Sequence, residues 1–495
     1  MSGLGYLDIV IVVLYVVGNL LVGVYFARKQ VGLTSYFLGD RNVAWWLILA
    51  SIVTTETSTV TFLSVPGESF KKGGDLTFLQ FPLGYIVGRV VIAWLLLPQY
   101  FKGEILSAYQ VLRQRFDVRV QRTASALFLI TRSVADGLRL YLTALLLHLF
   151  TGWDEVQAVL VLAAITAVYT YLGGMHAVMW TDLIQFTVKL SGAVVAALVI
   201  GSMASGGWGA VTEAASEAGK LRWLNFGFDL TSDNVFLAGL VGGAVLTMAT
   251  HGADQMMVQR YLCGRSLGEA RLALVLSGVV IFVQFVLFLL IGVGLWALDR
   301  QGLLNLPEGS RSDAAFGWFI VTTLPAGLRG LVVAAVLAAA MSTLSASLNS
   351  SATAFVVDFY RPLRPGRDEG HYLKVSRGMT AFWAVVQVGV ALATLALSPE
   401  QGVVKSVLSV AGWSTGIVLG LFVLGGFRRP VSSASALAGV AAGFAAVTAV
   451  FATGALAWPW YAPVGVLTTV AVGLLVDRLV GPRRGQEAVA GGDVG

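Results

Sequence analysis

Apolar runs of about twenty residues recur thirteen times along this chain of 495 residues. They lie near 6–27, 43–66, 76–100, 123–150, 156–175, 178–203, 233–258, 272–298, 327–358, 374–397, 403–427, 432–454 and 459–479. A helix of that length, rising about 1.5 Å per residue, spans the ~30 Å of a bilayer's hydrocarbon. Barrel strands are excluded, because the runs are too long and lack a period-two alternation. Charged residues are only 12% of the chain and mean hydropathy is +0.79, against roughly 25% charged in a soluble domain. The sequence therefore predicts an all-α integral membrane protein with thirteen transmembrane helices. A lone cysteine, Cys263, excludes an internal disulfide framework, and the 4 histidines form no Cys/His cluster for structural zinc.

The +6 net charge could suggest a nucleic-acid partner, but the basic residues fall in short loops between apolar runs. Counted from an external N-terminus, most occupy inner loops: Arg28 and Lys29, then Arg113, Arg115, Arg119 and Arg122, then Arg361, Arg364 and Arg367, then Arg428, and finally Arg483 and Arg484. The outer segments hold fewer, among them Lys71, Lys72, Lys220 and Arg222. This bias predicts an N-terminus outside and a C-terminus in the cytoplasm, in the plasma (inner) membrane. Positive charge follows the first run and does not precede it, so that run reads as a retained span and not a signal peptide. Two longer connections, near 204–232 and 299–326, have room for short surface helices.

Polar groups at membrane depth are costly and usually face a bundle interior or a watery path. The second span carries Thr54-Thr55-Glu56-Thr57-Ser58-Thr59-Val60-Thr61. A helix broken at mid-depth suits this stretch, since freed carbonyls and hydroxyls can replace water around an ion; a Ser/Thr packing seam is the plainer reading. In the ninth span Ser342, Ser345 and Asn349 share a face with Thr343 alongside. Neutral oxygens so spaced suit a monovalent cation, or simply close helix packing. Asp182 lies one turn inside the sixth span, as an ion ligand or as a helix N-terminal charge. Arg132, Asp136 and Arg139 in the fourth span either neutralise one another or line a solute path. Gly412-Trp413-Ser414-Thr415-Gly416 matches a nucleophile elbow, but no strand precedes it, and no base or metal set accompanies it. An enzyme is not expected.

Three linked motifs carry a resemblance. They are Gly173-Gly174-Met175-His176-Ala177-Val178-Met179-Trp180-Thr181-Asp182, Asp254-Gln255-Met256-Met257-Val258-Gln259-Arg260, and Ala339-Ala340-Met341-Ser342-Thr343-Leu344-Ser345. In this order and over nearly the whole chain, the sequence resembles the sodium/solute symporter family. Through Phe62-Leu63-Ser64-Val65-Pro66 it is similar to the bacterial sialic acid transporters and the iodide and multivitamin branch. The resemblance implies a LeuT-type 5+5 inverted repeat with extra helices at both ends. Residues 1–42 would hold the first helix and an inner loop, 43–203 and 233–427 the two five-helix repeats, and 428–495 two last helices and a tail.

It also implies Na+ as the coupling ion. The family's common sodium site falls on the carbonyls of Thr54, Thr57 and Ala339 and the hydroxyls of Ser342 and Thr343. A second site in the sialic acid branch would use Asp182, Ser342 and Ser345, with Ala346 in place of its last serine. Substrate positions fall on Glu56, Ser58, Thr61 and Gln80, with Thr247 and Thr250 matching sugar-transporting relatives. The carboxylate-binding arginine falls on Ala135, between Arg132 and Arg139. Glu56, neutral in that branch and acidic in proline-transporting relatives, would oppose a carboxylate solute unless protonated or paired with an arginine. The expected function is sodium-coupled import of a small polar solute such as a sugar or sugar acid, with sodium, the solute and the lipid bilayer as partners. The alternatives are a proton-coupled symporter, using Glu56 or Asp182 as carrier, and a proline-type amino-acid symporter. One sodium crossing ~100 mV down a roughly tenfold gradient supports about 500-fold accumulation of a neutral solute.

Overall fold

Helices fall where the apolar runs lie. The computed structural model describes residues 4–27, 32–307, 309–397, 403–427 and 429–480, with side chains throughout these except at 149, 150 and 403–413. Arg28, Lys29, Arg428, Arg483 and Arg484, which bear on the charge bias, lie outside the described residues. In chain order the main helices are α1 (Tyr6–Ala27), α2 (Trp45–Glu56), α3 (Thr59–Phe70), α4 (Gln80–Val91), α5 (Val118–Thr151) and α6 (Glu155–Met203). They continue with α7 (Gly243–Gly252), α8 (Gln255–Leu262), α9 (Leu267–Arg300), α10 (Leu328–Phe355), α11 (Glu369–Leu397), α12 (Val403–Gly426), α13 (Ser433–Thr453) and α14 (Tyr461–Val480). No strand occurs among the described residues; one isolated bridge joins Val43 to Gly264. Both long connections carry a surface helix, Gly207–Glu217 and Ala315–Thr322.

Two interruptions shape the interior. The second apolar run is two helices, α2 and α3, bent by 65°. Thr57 leaves helical geometry at φ −81°, ψ 84°, and Ser58 is extended, its hydroxyl accepting from the Thr61 amide at 3.4 Å. Short hydroxylated side chains here offer the backbone local partners that compete with a continuous helix. The seventh run breaks at Ala253, and Asp254 caps α8 by accepting from the Met256 amide at 2.8 Å. A further kink divides α6 at Gly174, whose φ of 56° and ψ of −152° leave the helix. A β-carbon there would meet the Tyr36 ring and carbonyl at 2.7 Å, so close packing as well as backbone geometry asks for glycine.

The wall behind the α2–α3 break is α10. Its small, hydroxylated face packs on α6, and nearly all of its residues from Val332 to Ala354 are buried. Small residues let helix backbones approach closely in a bilayer, where packing replaces a hydrophobic driving force. The break thus lies between α10, α6, α9 and α4, with polar side chains from each pointing to it.

Candidate functional site

A cavity of about 170 Å³ opens against the break. Seven of the expected solute positions line it: Glu56, Ser58, Thr61, Arg132, Arg139, Thr247 and Thr250. Ala135 also faces it, between the two arginines, and Phe78, Tyr85, Phe285 and Trp458 supply aromatic walls. Gln80 does not join them. Its amide nitrogen donates to the Thr77 carbonyl at 2.8 Å and its oxygen accepts from the Asn225 amide at 3.0 Å. That side chain anchors the 204–232 connection instead of lining the cavity.

Charges around the cavity are paired. Arg89, fully buried on α4, forms an ion pair with Glu56 and donates to the Ser277 hydroxyl at 2.6 Å. His251 Nε2 stands 3.4 Å from the same Glu56 oxygen, and its Nδ1 is 3.0 Å from the Thr250 hydroxyl and 3.3 Å from that of Thr247. Arg132 holds Asp254 at 2.6 Å, so the cap of α8 is also its counter-ion, and Arg139 pairs with Asp136. A buried charge is tolerated where a partner and further hydrogen bonds satisfy it. The sequence signal for Arg89 was available: an arginine inside an apolar run requires an acid nearby, and Glu56 lies on the facing span.

The oxygens expected to hold sodium do converge. Ser342 Oγ lies 3.0 Å from the Thr54 carbonyl and 3.2 Å from that of Ala339; Thr343 Oγ1 lies 3.2 Å from the carbonyls of Thr55 and Ala339. Within this group stands a side chain the sequence reading left unassigned, Lys189 of α6. Its ammonium donates to the carbonyls of Thr54 at 2.5 Å and Thr57 at 2.9 Å and lies 3.5 Å from Ser342 Oγ. Lys189 is completely buried.

Asp182, two turns before Lys189 on α6, accepts from the Ser51 hydroxyl and lies 3.3 Å from the Arg260 guanidinium. Arg260 is itself held by Ser51, Thr55 and the Met256 carbonyl. One carboxylate oxygen is engaged, whereas Asp182 Oδ1 is buried with no hydrogen-bond partner among the described residues. Ser345 Oγ donates to the Ser342 carbonyl at 3.1 Å.

The family model for the sodium:solute symporter family matches residues 36–443. The chain belongs to that family. Among its relatives, a sodium/sialic acid symporter of Proteus mirabilis is 29% identical over 97% of this chain and 96% of its own length. One from Aliivibrio fischeri is 30% identical over 95% and 93%, and a sodium-dependent multivitamin transporter of Oryctolagus cuniculus is 30% identical over 88% and 69%. A substrate-bound, outward-open structure of a Na+-coupled sialic acid symporter superposes with a TM-score of 0.87 at 29% identity, covering 97% of this chain and 99% of the other. A nucleobase-cation-symport-1 transporter shares the fold at a TM-score of 0.55 and 15% identity. The symporter is thus a multi-pass, all-helical membrane transporter of LeuT-type fold, in a family of carriers and not of enzymes.

Proposed function

We propose that this symporter imports a sugar acid of the sialic acid class together with sodium, by alternating access across the cell membrane. One observation carries the choice of solute: Arg89 pairs with Glu56, whose same oxygen lies 3.4 Å from His251 Nε2, and this pairing removes the anionic repulsion a carboxylate would otherwise meet in the cavity. The same pairing leaves Glu56 no free charge to greet the ammonium of a proline-type solute, and both carboxylates considered as proton carriers are already paired. Arg132 and Arg139 flank Ala135 on the cavity wall, and the guanidinium N–H groups not spent on Asp254 and Asp136 would meet the solute's carboxylate in place of an arginine at 135. Ser58, Thr61, Thr247 and Thr250 offer hydroxyls to the solute's own hydroxyls.

Asp182, Ser342 and Ser345 would hold sodium, the unpartnered Asp182 Oδ1 being an acidic oxygen not yet spent on a hydrogen bond. Sodium bound there would supply the gradient-derived driving force. The reading takes the chain as thirteen spans, α6 counting as two across Gly174 and α7 with α8 as one, in two five-helix halves at 43–203 and 233–427. The N-terminus is outside and the C-terminus cytoplasmic. The break between α2 and α3 is where the halves grip the solute.

The test is a thermal-shift screen of the purified protein against sialic acids, neutral sugars, monocarboxylates, vitamins and amino acids, in sodium and in choline. Stabilisation by a sialic acid that is larger in sodium supports the reading. Stabilisation by a neutral sugar or by proline, with sialic acids inert, would remove it.

A further inference from the structure

The sodium position common to the family does not fit sodium in this chain. An ion shared by the carbonyls of Thr54 and Thr57 would stand where the Lys189 ammonium already stands, bonded to both at 2.5 and 2.9 Å. Two cations cannot share that point. Nor is the lysine a passing occupant: it is wholly buried, and its hydrogen bonds go to neutral oxygens. A desolvated ammonium is costly unless oxygens replace its water. Here the replacement is the C-terminal end of α2, where the helix dipole and unpaired carbonyls favour positive charge.

We infer that Lys189 is a tethered substitute for sodium at the break, joining α2 to α6 and α10 in every turn of the cycle, so that only the Asp182–Ser345 position remains for an exchanging ion. This rests on the symport reading above for its consequences in transport, but it is tested without any solute.

The experiment is equilibrium binding of radioactive sodium to the purified full-length protein, with thermal denaturation in sodium and in choline alongside. The expected result is that Lys189→Ala binds one more sodium per chain than the wild type. Its melting temperature should fall in choline and recover in sodium by more than the wild type's does. Adding Thr343→Ala to Lys189→Ala should remove both the extra ion and the recovery. Should Lys189→Ala not fold, Lys189→Gln, which keeps a polar chain without the charge, serves in its place, and the wild type still decides: two sodium ions bound per wild-type chain would overturn the inference. Equal sodium binding by wild type and the lysine variants would overturn it too. A failure of the solute assignment would leave these counts untouched, and would show instead as sialic acids stabilising none of the proteins.

Discussion

The two halves of the broken span end alike and are used differently. At the end of α2 the Lys189 ammonium takes the carbonyls of Thr54 and Thr57; at the end of α3 the Lys220 ammonium takes those of Ser69 at 2.6 Å, Gly74 at 3.0 Å and Lys71 at 3.1 Å. Both lysines are borrowed from elsewhere in the chain and both answer the same need, since a helix leaves its last carbonyls without partners. Lys220 belongs to the 204–232 connection, rests on the Trp296 ring at 5.1 Å and closes an ordinary helix end. Lys189 sits at mid-depth among oxygens that a related carrier would offer to an ion. The same bond is structural in one place and, on the inference above, takes the place of an ion in the other. Context makes the difference: at the inner end Ser342 of α10 donates to the same Thr54 carbonyl and Thr343 to its neighbour, that of Thr55.

Four substitutions test how far that contrast goes, beginning with the largest effect. Arg89→Ala leaves Glu56 unpaired beside the inner end and should cost about 3–5 kcal/mol, as removal of one partner of a buried pair does. Adding Glu56→Gln should recover much of the loss in a denaturant titration, whereas Arg89→Ala with no measurable loss would mean the inner end does not depend on its paired charges. Lys189→Ala takes the ammonium from the Thr57 carbonyl and leaves that of Thr54 with Ser342 alone, at a cost of about 1–3 kcal/mol, and most of this should return on adding sodium. Lys220→Ala should cost about 2 kcal/mol and regain nothing from sodium in the same melting assay. If sodium rescues both lysine variants equally, the distinction between them collapses. Ser58→Ala removes the cap that starts α3 and should lower stability by about 1 kcal/mol, with solute affinity falling further if the hydroxyl also meets the solute, as read by isothermal titration.

Much of this was legible in the sequence because the bilayer allows few solutions. A polar run within an apolar stretch has to be a break or a seam, and the stretch around Glu56 is a break, at Thr57. The serines of α10 share a face because helical periodicity puts them there. What escaped were side chains whose role depends on a neighbour distant in sequence. Arg89 and Lys189 could be seen to lie within spans, but nothing near them in the chain names Glu56 or the Thr54 carbonyl as partner. The contact of Gln80 was hidden in the same way: the loop that holds it, at Asn225, comes some 145 residues later and carries no pattern that announces the contact. Hydropathy locates the helices, whereas pairing across them is a property of the packed bundle.

A lysine built into the break alters what the membrane voltage can do. If one sodium enters with one monovalent sugar acid, the two charges cancel, and the tethered ammonium returns with the protein at the end of each cycle. Transport would then be electrically silent. A depolarised cell would lose none of its uptake, and the solute could be concentrated only as far as the sodium ratio itself allows, about tenfold for a tenfold gradient.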